Sequence, residues 1–151
     1  VNILAGLMLA YLHFAFRDVP STQEWAIGGL LIGIACLLVG FRGAIPDFAS
    51  IVAANSAIFF GYAFYYRGFA LHVGSLKPSK APFLLCLALT VIFIALTDPT
   101  YLSLRIIIFS IGMIVLHIFS IYALLIFSSK NAAHNLLLLA LLLVRQVMLT
   151  V

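Results

Sequence analysis

I-I-I-F-S-I-G-M-I-V-L-H-I-F-S-I-Y-A-L-L-I-F, residues 106–127, runs for 22 positions without an Asp, Glu, Lys or Arg. About 20 apolar residues at about 1.5 Å rise each suffice to cross the hydrocarbon of a bilayer. No water is present there to bond free backbone groups, so such a stretch is a helix. The same pattern recurs on either side. Apolar spans are read at about 1–16, 25–41, 48–66, 81–96, 99–127 and 132–151, with short polar joints between them. The expectation is an all-α integral membrane protein. Its six visible transmembrane helices form a bundle, and residues 1–151 form one transmembrane domain.

Composition supports the same solvent. Apolar residues make up 66% of the chain and charged residues 8%, against about 25% charged in an average soluble domain. The formal charge of +4 comes from scattered residues with no basic run, which argues against nucleic-acid binding. Cys36 and Cys86 lie inside apolar runs without metal-site spacing and are read as small packing residues. The first span lacks the basic leader and cleavage site of a signal peptide. The chain opens on Val1 without a Met and reads as a fragment.

The joints carry start signals and an orientation. Ser21 and Glu24 have capping-box spacing, Asp47 is a candidate N-cap for span 3, and Asp98-Pro99 reads as N-cap plus first-turn proline of span 5. Five basic residues, Arg17, Arg67, Lys77, Lys80 and Lys130, fall in joints on one side. The other side has Arg42, with Arg105 and Arg145 inside spans near it. The positive-inside rule puts the five-residue side in the cytoplasm. Span 6 then ends outside, and a cytoplasmic domain downstream would require a seventh span that this chain lacks.

Gly29, Gly33, Cys36 and Gly40 share one face of span 2, and Ala53, Ala57 and Gly61 offer small residues on span 3. Small residues let membrane helices approach closely, so these six glycine and alanine positions are expected to pack the two spans together. Charges inside spans are functional suspects. Arg105 and Arg145 fall on the side of Arg42, Asp47 and Asp98. Two readings compete: a closed salt-bridge cluster, or an outward pocket for a small polar or anionic ligand, to which Asn55 of span 3 is added. Asn55 otherwise reads as an interhelical hydrogen bonder, and His13 and His117 as hydrogen-bonded interior histidines. The end of the aromatic run at 59–66 reads as an interfacial belt beside Arg67. No catalytic motif, metal cluster or cofactor signature appears.

Residues 24–69 read E-W-A-I-G-G-L-L-I-G-I-A-C-L-L-V-G-F-R-G-A-I-P-D-F-A-S-I-V-A-A-N-S-A-I-F-F-G-Y-A-F-Y-Y-R-G-F. This segment resembles the N-terminal multi-span sensory region that precedes GGDEF domains in bacterial diguanylate cyclases. The resemblance is carried by Trp25, Gly40-Phe41-Arg42-Gly43, Pro46-Asp47, Ser50-Ile51, Ala54-Asn55 and Tyr66-Arg67-Gly68, with Arg105 and Arg145 fitting more loosely. It implies a multi-pass module of the bacterial inner membrane. Such a module anchors and regulates a cytoplasmic output domain that makes cyclic di-GMP, as a homodimer or within a larger membrane assembly. The GGDEF motif itself is absent, so the resemblance implies no enzyme activity for these residues. The alternative is a non-catalytic structural or accessory subunit of a membrane complex, and the third reading is a small transporter.

Overall fold

The computed structural model describes residues 2–15, 19–75 and 77–126. They form five α-helices: α1 (Asn2–Ala15), α2 (Pro20–Gly40), α3 (Ala54–His72), α4 (Ala81–Ala95) and α5 (Leu102–Ile126). A π-helical turn, Phe48–Ala53, leads directly into α3, and a 3₁₀ turn, Pro99–Tyr101, leads into α5. No strand occurs among the described residues, apart from an isolated bridge between Arg42 and Ile45 in the α2–α3 turn. Gly43 takes φ +91° there, which a residue with a Cβ rarely adopts.

Helix α3 is the centre of the bundle because the other long helices all pack on it. Along α2 the chains run antiparallel. Trp25 stacks on Phe69 and His72 at ring distances of 5.7 and 5.4 Å. The backbones come closest where Gly28 faces Gly61; a Cβ on Gly28 would sit 2.7 Å from the Gly61 carbonyl oxygen. Along α5 the direction is parallel: Phe59 meets Phe109 at 5.3 Å, Tyr62 meets His117 at 4.9 Å and Tyr66 meets Phe119 at 5.9 Å. Helix α4 runs back between these ends. Phe83 packs against Phe64 near its start, and Phe93 against Phe59 near its finish. Phe59, Phe93 and Leu116 are essentially inaccessible to solvent.

The aromatic run of α3 therefore has a role other than a belt. Tyr62, Tyr65 and Tyr66 are buried, because a helix contacted by α2, α4 and α5 has little circumference left for an interface. The Tyr66 hydroxyl accepts a hydrogen bond from the Ser79 backbone N–H at 3.1 Å. The outward faces are apolar instead. Leu87, Val91 and Ile94 on α4 and Ile107, Ile111, Ile114 and Ile118 on α5 are exposed. An apolar surface of this extent suits lipid or another apolar partner.

Three segments are long and apolar enough to cross a membrane: Ser21–Gly40, Phe48–His72 and Pro99–Leu125. This corrects the expected six visible spans. Helix α4 contains 15 residues, so at about 1.5 Å per residue it is shorter than a hydrocarbon core of about 30 Å, and α1 is described only over Asn2–Ala15. The expected span at 132–151 lies outside the described residues. Two helix starts also differ from their signals. Pro20 occupies the first turn of α2 with Val19 as N-cap and no side-chain cap bond, so Ser21 and Glu24 lie inside the helix and form no capping box. Asp47 has helical φ and ψ and makes no side-chain cap bond. At α5 the local chemistry operates as its sequence suggests: Asp98 Oδ1 accepts from the Thr100 N–H at 2.8 Å, with Pro99 next to it.

Candidate functional site

The up-and-down path brings the α2–α3 turn, the π turn and the start of α5 to one end of the bundle. A cavity of about 190 Å³ opens there, lined by Arg42, Ile51, Asn55, Phe93, Leu102, Arg105, Ile106 and Phe109. Each polar member has a distinct origin. Arg105 follows the Asp98–Thr100 cap by about one turn of α5, and that placement turns it inward; its residue is only 6% exposed. Its Nη1 donates to the Thr97 carbonyl at 3.4 Å, a long bond for a guanidinium. Arg42 lies in the exposed turn after α2. Asn55 follows the π turn, where helical hydrogen-bond register is shifted. The Ala54 N–H is shared between the Ala49 and Ile51 carbonyls, and the Asn55 side-chain amide donates to the Ile51 carbonyl as well. π-Helical turns inside longer helices are frequent at functional sites.

Of the expected ligand-binding residues, the cavity gathers Arg42, Asn55 and Arg105. Asp98 stands beside it without lining it. Its carboxylate also accepts from the Thr100 hydroxyl at 2.7 Å. The Thr100 backbone N–H, then its hydroxyl, then the nearby Arg105 charge hold the Asp98 carboxyl below its usual pKa. Asp47 is exposed and contributes its backbone carbonyl to the Ser50 hydroxyl at 3.4 Å. Arg145 lies outside the described residues. The closed salt-bridge cluster is not formed among the described residues, where neither Arg42 nor Arg105 has an ion pair.

The packing residues separate into two groups. Gly61 meets Ile32 and the Gly28 backbone, so Gly28 is the glycine of closest approach on α2. Gly29 and Gly33 are buried on a different part of that helix, Ala53 and Ala57 are partly buried, and Gly40 has nothing within 4 Å of a built Cβ. Cys86 is buried in the core and Cys36 is exposed. His13 Nδ1 lies 3.2 Å from the Thr22 hydroxyl, and His117 Nδ1 lies 2.7 Å from the Met113 carbonyl.

The opposite end joins residues that the sequence offered in other roles, Glu24 in a capping box and Arg67 as an orienting charge. Glu24 is buried and its Oε1 receives Arg67 Nε at 3.5 Å, linking α2 to α3. Trp25 sits over Gly68, whose missing side chain makes room for the indole. The available signal was a lone carboxylate one turn into an apolar helix, which demands a cation from elsewhere. Among the described residues no three His, Cys, Asp or Glu side chains come together as a metal site would need. No protein-family model, curated protein or solved structure matches the chain.

Proposed function

We propose that this chain is a membrane-embedded sensory and anchoring module that regulates a cytoplasmic output domain. The observation that carries the reading is the cavity at the Arg105 end, where a buried guanidinium faces open space at the junction of three elements. A ligand entering there touches the α2–α3 turn, the π turn and the head of α5 together. Only a ligand that binds two helix arrangements unequally can shift their balance, and a site shared by three elements is placed to do so. The joint carrying Arg67, Lys77 and Lys80, at the opposite end, faces the cytoplasm in this reading, and the cavity faces outward.

The localisation is the bacterial inner membrane, crossed several times. Helix α4 takes part as a short, core-packed crossing, because its start lies by Arg67 and its finish by Arg42. The output is a diguanylate cyclase, on the strength of the resemblance over residues 24–69. The test is cellular cyclic di-GMP measured with the full-length protein. Expression raises the nucleotide, and Arg105→Gln changes its level at equal membrane abundance. An Arg105→Gln variant with wild-type nucleotide at every growth condition removes the cavity from signalling. A full-length protein with no cyclase activity favours the accessory subunit.

A further inference from the structure

Four carboxylate side chains are available to the whole chain: Asp18, Glu24, Asp47 and Asp98. Glu24 is committed to Arg67 at the far end. Asp18 lies outside the described residues. Asp47 is exposed and lines no part of the cavity, and Asp98 is turned to Thr100. Arg105 is therefore a buried cation with a single 3.4 Å bond to a carbonyl, and a second guanidinium, Arg42, lines the same space. A buried charge that closes no hydrogen-bonded ion pair is costly. Asp98 acts on Arg105 through its charge, but no ion pair closes on either guanidinium among the described residues, so two cations and one nearby carboxylate leave the cavity with a positive lining.

We infer that the cavity between the α2–α3 turn, the π turn and the head of α5 binds a small carboxylate or phosphate anion, with Arg105 as its buried anchor and Arg42 as its rim. The planar fork of a guanidinium matches both groups. Phe93, Ile106 and Phe109 supply the cavity's apolar wall. A volume of about 190 Å³ equals roughly six waters of bulk liquid. That space suits phosphate or a short dicarboxylate. The same chemistry is offered by a dissolved anion and by a phospholipid headgroup. The inference deepens the sensory reading, but the site stands on its own charge balance.

The experiment uses the full-length protein in neutral detergent and anion-free buffer, titrated calorimetrically with inorganic phosphate and with succinate. A parallel arm compares nanodiscs of phosphatidylcholine with nanodiscs containing phosphatidylglycerol, reading lipid retained after purification. Saturable binding of a free anion, weakened at least about tenfold by Arg105→Gln and also by Arg42→Gln, assigns a dissolved ligand. Retention of phosphatidylglycerol that either substitution abolishes, without free-anion binding, assigns a headgroup. Binding in neither arm, or binding that both variants keep, overturns the inference. Arg42 is exposed, so Arg42→Gln decides the matter if Arg105→Gln does not fold. Anion binding without any change in cyclic di-GMP overturns the sensory reading alone. A cyclic di-GMP response that depends on Arg105 without anion binding overturns this inference alone.

Discussion

The two ends of the bundle use the same residue type in opposite ways. At one end Arg67, with its side chain 48% exposed, is paired with the buried carboxylate of Glu24. At the other end Arg105 is buried and closes no ion pair among the described residues, with Asp98 acting on it only through its charge. The exposed arginine closes an ion pair, and the buried arginine does not. In a structure selected only for stability the assignment would run the other way, because desolvation penalises the buried charge most. The Arg67 end therefore reads as a clasp between α2 and α3. The Arg105 end reads as a place where stability is given up for recognition.

The largest effect should come from forcing the clasped helices apart. Gly28→Val places new atoms against the Gly61 carbonyl, so a loss of about 1–3 kcal/mol is expected from overpacking, measured as detergent-phase thermal unfolding. Gly40→Ala on the same helix meets open space and should stay within about 0.5 kcal/mol of wild type. Equal losses in the two variants would detach the clasp from the Gly28–Gly61 approach.

Next in size is the ion pair. Arg67→Leu strands a buried Glu24, and because Arg67 is half-exposed and water-screened the cost is set at about 1–2 kcal/mol, below that of a fully buried pair. Arg105→Gln should behave differently in anion-free buffer, staying within about 1 kcal/mol of wild type, since the buried charge it removes closes no ion pair and its electrostatic partner Asp98 is exposed. A loss for Arg105→Gln as large as that for Arg67→Leu would erase the contrast between the ends and make Arg105 structural.

The smallest effect belongs to the Asp98 cap beside the cavity. Its folded pKa is lowered, first by the Thr100 N–H and hydroxyl and then by Arg105. The cap therefore contributes above the unfolded value of about 3.9 and is lost as pH falls through the lower folded value. Unfolding midpoints followed from neutral pH into that acidic range should fall in wild type more than in Asp98→Asn. Parallel curves would show that the cap contributes nothing measurable.

What could be read in advance follows how local the chemistry is. Asp98, Pro99 and Thr100 are adjacent, so their cap is legible in three letters of sequence. That Arg42, Asn55 and Arg105 share one end follows from counting alternating apolar runs. Their meeting in one cavity depends on how α3 and α5 lie parallel, which no local pattern encodes. Ser21 and Glu24 carry a valid capping-box spacing, yet Pro20 is better suited to the first turn and begins α2 earlier. Glu24 is then carried inward toward an arginine two helices' length away in sequence. Gly28, Gly29 and Gly33 are all plausible contact points by composition. Each residue turns the helix by about 100°, so a one-residue difference selects another neighbour. The six-span expectation gave α4 a full span's length because hydropathy marks apolar runs and leaves the helix ends undefined.

The single tryptophan of the chain turns the clasped end into an optical gauge. Trp25 lies against Gly68, Phe69 and His72, and its buried indole N–H has no hydrogen-bond partner among the described residues. Its emission therefore reports on one place only, the seam between α2 and α3. Gly68 is 13 residues along α3 from Asn55, a distance of about 20 Å on a straight helix. An unlabelled protein titrated at the far cavity thus carries its own distant fluorophore. A shift in indole emission on adding an anion would register motion relayed through α3 before any output domain is assayed.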